Sequence, residues 1–293
     1  MGVIELNYKY SFSDIQRKAL QLANVYQGIL NLETIGISHD QREIFMLRLG
    51  LHKKYILITA GVHGREYINS AVLLRIAEKY AAQTVSQPGL LKDYGILFVP
   101  VLNPDGYVIA TEGFGSINDK KLKKNCIMQN INSSQWKWNA RAVDINRNFL
   151  SASYNKSLHT GDVNSENETK AFINLVQNEN TIGYMDIHSR GEAIYYYRKH
   201  MGEEYNRHQR YIADRLSYYT GYKLMMPSEE IDSGDSGGNT VHYYSEYINC
   251  PAITVETIDD DAKFPLKYEY ARQVYYQIRY LPIEFLKSVL MEI

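Results

Sequence analysis

The sequence predicts a single α/β domain over residues 1–293, with a mixed, mostly parallel twisted sheet and helices on both faces. Three observations lead there. Short apolar runs of strand type alternate with stretches whose apolar residues recur at helical spacing. No internal repeat, low-complexity tract or Pro/Gly/Ser-rich linker divides the chain. Hydrophobic residues make up 45% and charged residues 22%, the balance of a globular chain with a sizeable core to bury.

The elements follow in order. "YSFSDIQRKALQLANVY" reads as a helix, with Ser11 or Ser13 as N-cap. "EIFMLRLG" and "YILITA" read as strands, and residues 50–54 between them fit a hairpin-like connection. "INSAVLLRIAEKYAAQ" has the apolar spacing of a helix. "GILFVPVLN" is a buried type of strand, ended by the turn "NPDG". Residues 113–140 show little periodicity and read as a long excursion whose "KKLKKN" is a solvated face. "SENETKAFINLVQNE" is a helix with a Ser165–Glu168 capping-box pattern. "IGYMDIH", "AIYYY" and "PAITVET" are strands, while "EYNRHQRYIADRLSYYTG" and the tail over 267–293 are helical.

Composition excludes several function classes. A net charge of −1 offers no basic stripe for nucleic acid. No apolar run approaches the roughly 20 residues of a membrane span, so no membrane partner is expected. No secretory signal is visible, and the cytoplasm is the expected location. The only cysteines, Cys126 and Cys250, are read as free thiols. The 26 tyrosines, several in doublets, read as half-buried sheet and helix residues.

Chemistry gathers where strands end. In open α/β sheets, ligands bind beyond the carboxyl ends of the strands. His63 and Glu66 follow "YILITA", His188 ends "IGYMDIH", and Glu256 ends "PAITVE". Each is weak alone. Together, two histidines and one carboxylate leave a zinc ion with an open position and residual positive charge, the pattern of a catalytic rather than a structural site. Glu256 is then the candidate base, a carboxylate that is not a ligand. A second group lies in "WKWNARAVDINRNF", where Arg141, Asn146 and Arg147 surround Asp144. Planar arginine donors match a carboxylate, so this group points to a substrate with a free carboxylate. Structural salt bridges in a loop are the other reading of the same residues.

These pieces, in the order "HGRE", "VPVLNPDGY", "NARAVDINRNF", "DIHS", "SGG" and "TVE", resemble the zinc carboxypeptidase family, over about Tyr10 to Leu281. The resemblance implies one zinc per chain on His63, Glu66 and His188, with Glu256 as general base and then acid. It implies that Asn146 and Arg147 grip a terminal carboxylate. Asp144 would hydrogen-bond the first zinc histidine, and Arg141 would stabilise the oxyanion. The compact "NAR" spacing is similar to the bacterial branch that cuts cell-wall peptides, the γ-D-glutamyl-L-diamino acid endopeptidases and murein-peptide amidases. The expected partner is thus a small cell-wall-derived peptide. A general metallocarboxypeptidase, an acyl-amino-acid hydrolase and an inactive peptide-binding module are the alternatives.

The chain departs from the digestive members in two places. Ser233 stands where they carry a mobile tyrosine. The specificity position falls at Thr240 or its neighbour Asn239, and neither is an acid. Among Glu229, Glu230, Asp232 and Asp235, one is expected to meet the second amine of a diamino acid.

Overall fold

The computed structural model describes residues 2–157, 159–230 and 237–291, and of Glu230 only the backbone. The elements are α1 (Phe12–Val25), β1 (Leu30–Ile37), β2 (Glu43–Leu49), β3 (Lys54–Ala60), α2 (Ile68–Ser86), β4 (Tyr94–Val99), α3 (Pro104–Glu112) and α4 (Lys120–Met128). After a long irregular stretch come α5 (Asn167–Asn178), β5 (Thr181–Ser189), β6 (Ala193–Tyr195), α6 (Glu203–Thr220), β7 (Lys223–Leu224), α7 (Pro227–Glu230), α8 (Thr240–Tyr243), β8 (Ala252–Thr257), α9 (Tyr270–Ile278) and α10 (Leu281–Val289).

Eight strands form one mixed sheet among the described residues, in the order β1-β2-β4-β3-β5-β8-β6-β7. The central strands β4, β3, β5 and β8 are parallel, and the antiparallel pairs lie toward the two edges. Alternation along β3 shows how both faces are covered. Ile56, Ile58 and Ala60 pack into the core under α1, α2, α9 and α10, while Tyr55 and Leu57 pack into a second core under α5 and α8. All five are buried, as a central parallel strand requires.

Several expectations are corrected. The segment 50–54 does not join hairpin partners: β4 lies between β2 and β3, and β2 instead forms the hairpin with β1, a strand the sequence reading missed. Pro104 begins α3, so "NPDG" opens a helix with Asn103 as N-cap rather than ending in a turn. Part of the excursion over 113–140 is helical, because Asp119 caps α4 by accepting from two amides. The Ser165–Glu168 capping box does not form. Helix α5 starts at Asn167, and the Ser165 hydroxyl bonds Glu166 instead. The tail splits into two helices, with Pro282 in the first turn of α10. Ser11, by contrast, does cap α1 in a reciprocal box with Asp14. Cys126 and Cys250 are free thiols. No helix is long and apolar enough to cross a membrane among the described residues.

Candidate active site

The site lies at the carboxyl ends of β3, β5 and β8. Strand β3 ends at Ala60, and Gly61 turns the chain at φ +65°, a left-handed conformation that favours glycine. Gly64 makes the next step possible. A Cβ there would lie 2.1 Å from the Gly106 carbonyl oxygen, so only glycine lets the turn sit on the start of α3. Asn103 holds the same junction, donating to the carbonyls of Val62 (3.0 Å) and Trp138 (3.2 Å). His63 and Glu66 flank a single 3₁₀ turn, and so they reach the sheet edge from a turn rather than from a helix face. His188 and Glu256 are direct register partners on β5 and β8.

Around Glu66 the two imidazoles converge. His63 Nδ1 lies 2.7 Å from one carboxylate oxygen and His188 Nδ1 3.0 Å from the other. One candidate ligand atom from each of the three lies within 4.8 Å of the others. The far nitrogens face carboxylates: His63 Nε2 is 3.2 Å from Asp144 Oδ1, and His188 Nε2 is 2.9 Å from Asp186 Oδ2. A carboxylate that accepts from Nε2–H leaves Nδ1 as the atom that can become a ligand once a cation displaces the proton between it and Glu66.

Electrostatics agree with a cation site. Burial alone would raise the Glu66 carboxyl, but the charges of His63 and His188 outweigh it and hold it well below the usual range. Burial likewise disfavours charged imidazoles, yet Asp186 and Glu66 hold His188 well above its ordinary value, and Glu66 and Asp144 raise His63. Three carboxylates around two imidazoles thus call for positive charge. When a cation replaces the protons that those imidazoles hold, two Nδ1 donors and one carboxylate make the donor set that suits zinc with a position left open.

Glu256 differs from Glu66. Its Oε2 is enclosed and has no hydrogen-bond partner among the described residues. Burial pushes its carboxyl up to about 8, with His188 opposing and Glu66 adding to the rise.

The other expected residues are placed less uniformly. Asp144 is buried and bridges His63 to Lys137, whose Nζ lies 2.6 Å from Asp144 Oδ2. Asn146 donates its amide to Asp144 and accepts from the Thr240 amide at 3.2 Å. The Arg147 guanidinium bonds the Asn146 carbonyl and contributes charge that lowers the Asp144 carboxyl. The Arg141 guanidinium pairs with Glu166 at 3.2 Å. The Thr240 hydroxyl is spent on Asp186, at 2.5 Å. Ser233, Asp232 and Asp235 lie outside the described residues, as does the Glu230 side chain; Glu229 pairs with Lys223 at 2.9 Å.

Two participants were missed in the sequence. Asp186 stands two residues before His188 on the same strand, and period-two alternation puts both side chains on one face. That spacing, in "DIH", was a usable signal. Lys137 gave none, because its nearness depends on the Lys137 carbonyl accepting from the Gly64 amide at 3.2 Å.

Known proteins resemble this chain in sequence and in fold. A family model described as zinc carboxypeptidase matches residues 15–277. Carboxypeptidase A6 of Homo sapiens is 27% identical over 209 residues, 65% of this chain and 45% of that protein. An inactive metallocarboxypeptidase of Talaromyces stipitatus is 25% identical over 197 residues, 60% of this chain and 32% of its own length. The chain thus spans less than half the length of these curated relatives. Among solved structures, thrombin activatable fibrinolysis inhibitor has a TM-score of 0.78 at 19% identity, covering 98% of this chain and 76% of that one. Murein-tripeptide amidase of Escherichia coli O157 has a TM-score of 0.52 at 18% identity, covering 87% of this chain and 93% of that one. At such identities the structural likeness speaks for the fold.

Proposed function

The chain belongs to the zinc carboxypeptidase family, and from that premise we propose that it is a peptidase working with one zinc ion per chain. It hydrolyses an amide bond beside a residue with a free carboxylate. The favoured substrate is a small cell-wall-derived peptide, cut between γ-D-glutamate and an L-centred diamino acid. One observation carries the chemistry: the Nδ1 atoms of His63 and His188 converge on Glu66, while Glu256 stands beside them with an enclosed, unpartnered oxygen.

Bound there, zinc would polarise the scissile carbonyl and make a water acidic enough to attack near neutral pH. Glu256 takes the proton of the attacking water and delivers it to the departing amine. Asp144 and Asp186 hold the two imidazoles in register through Nε2. Asn146 and Arg147 hold the substrate carboxylate, the arginine through paired parallel donors. The resemblance gives Arg141 the charge that develops on the carbonyl oxygen, and its half-exposed guanidinium rests against Glu166 in the structure.

The compact spacing of "WKWNARAVDINRNF" and the fold shared with the murein-tripeptide amidase support the cell-wall substrate. The match to carboxypeptidase A6 favours a second reading, removal of C-terminal residues from α-linked peptides. The inactive relative favours a third, a binding module without catalysis, against which the intact Glu256 weighs. Mass spectrometry of products from L-Ala-γ-D-Glu-diaminopimelate and a matched α-linked tripeptide separates the three. We expect cleavage of the γ-linked bond, with Glu256→Gln lowering turnover about 10²- to 10⁴-fold while zinc stays bound. Cleavage of the α-linked peptide alone supports the carboxypeptidase. A zinc-loaded chain inert toward both supports the binding module.

A further inference from the structure

We propose that Arg65, with Arg190 beside it, holds the free α-carboxylate of a γ-linked D-glutamate on the acyl side of the scissile bond. The inference rests on the γ-linked reading above and names the residues that would tell that linkage from an α-linked one.

The chemistry of the substrate asks for such a cation. A peptide bond made through the γ-carboxyl leaves the α-carboxylate ionised, a short methylene chain from the carbonyl under attack. The backbone of an α-linked residue carries no charge there. Asn146 and Arg147 are assigned to the carboxylate on the amine side, so a second carboxylate needs a second cation.

Arg65 and Arg190 are placed for it. Arg65 lies between His63 and Glu66 on the 3₁₀ turn, and Arg190 follows His188 by two residues. The Ser189 amide donates to Glu66 Oε2 at 3.1 Å, and a Cβ at Gly191 would lie 3.6 Å from Glu256 Cβ. The turn that carries Arg190 is therefore held between a candidate ligand and the candidate base. Both guanidiniums meet at one ring: their centres are 4.2 Å and 5.9 Å from the Phe264 centroid. Phe264 packs against the core under α1, α2, α9 and α10. Ile145 and Phe149, which bracket Asn146 and Arg147, pack into the core under α5 and α8. The arginine pair and the carboxylate clamp thus flank the candidate ligands from opposite faces of the sheet, and a peptide held by both spans them.

Much of the donor capacity of the pair is unspent. Arg65 Nε and Arg190 Nε are enclosed and have no hydrogen-bond partner among the described residues. Arg65 is half-buried and pairs with no carboxylate among them; its guanidinium lies over the Phe264 ring. Arg190 Nη1 pairs with Asp260 at 2.9 Å, but Asp260 is 81% exposed, and a solvent-screened pair of that kind is weak. A planar guanidinium with free donors, resting on an aromatic ring, matches the two oxygens of a carboxylate.

The test compares L-Ala-γ-D-Glu-diaminopimelate with the same tripeptide built on D-isoglutamine, in which the α-carboxylate is a neutral amide. The full-length, zinc-loaded wild type, Arg65→Met, Arg65→Lys and Arg190→Met are read in two ways. One is kcat/KM on both tripeptides; the other is calorimetric affinity for the dipeptides L-Ala-D-Glu and L-Ala-D-isoglutamine. The wild type is expected to prefer the carboxylate about 10- to 100-fold in both, the scale of hydrogen bonds to a charged group. Arg65→Met should bring that ratio close to one, and Arg65→Lys should restore part of it. Arg190→Met should lower it by less than Arg65→Met does. A wild-type ratio near one, or a ratio that Arg65→Met leaves intact while both tripeptides slow alike, overturns the inference and leaves the peptidase reading standing. A wild type that cuts only a matched α-linked tripeptide sinks the γ-linked reading and the inference with it.

Discussion

His63, Glu66 and His188 make one cluster of histidine and carboxylate; His39, Glu166 and Glu168 make another. In both, the candidate ligand atoms lie within 4.8 Å of one another. What differs is how far the protein has already met their charge. Glu66 takes two imidazoles and the Ser189 amide, with no lysine or arginine contact among the described residues. Glu166 takes Arg141, Ser165, Asn139 and His39, the last at 3.0 Å. Burial would raise its carboxyl, but those partners bring it down to about 2. Glu168 shares Asn139 at 3.1 Å, and burial, with Asp105 adding, pushes it up to about 7. Its Oε1 is buried and has no hydrogen-bond partner among the described residues. Proximity of donors therefore does not by itself make a metal centre: in one cluster the carboxylate faces only imidazoles and a backbone amide, and in the other an arginine holds it as well.

The largest contrast is expected between the histidines. His188→Ala should abolish zinc binding and hydrolysis together, whereas His39→Ala should leave both intact. Atomic absorption and a peptide assay on the same preparations check this, and zinc loss in His39→Ala would break the comparison. A smaller effect sharpens it. Asp186 holds only the outer nitrogen of His188, so Asp186→Asn should weaken zinc about 10- to 100-fold without abolishing it, as chelator competition would show. The smallest effect concerns the second cluster and pH. Glu168 has an ordinary value of 4.5 and a folded value of about 7. Between them the unfolded chain has given up its proton while the native chain keeps it, so stability falls as pH rises across that window. Glu168→Gln lacks the group, and its melting temperature should fall less over about pH 5 to 7 than that of the wild type. An equal or steeper fall would mean that Glu168 is ionised in the native state.

Much of the site was legible because strand ends are legible. The apolar runs before His63, His188 and Glu256 mark central parallel strands, and parallel strands deliver their carboxyl ends to one edge. The edges of the sheet were not. Strand β1 mixes polar residues and a bulge, and the placing of β4 between β2 and β3 is a matter of chain topology that local pattern does not encode. Arg141 looked like a substrate residue because its partner Glu166 is 25 positions away, and only the fold joins them.

The central claim is that one cluster, and only that one, is a zinc site. Titration of chelator-stripped protein with zinc, followed by calorimetry, tests it most directly. One equivalent per chain is expected in the wild type and in Glu168→Gln, and none in His188→Ala. Two equivalents in the wild type, or one that survives His188→Ala, would contradict it.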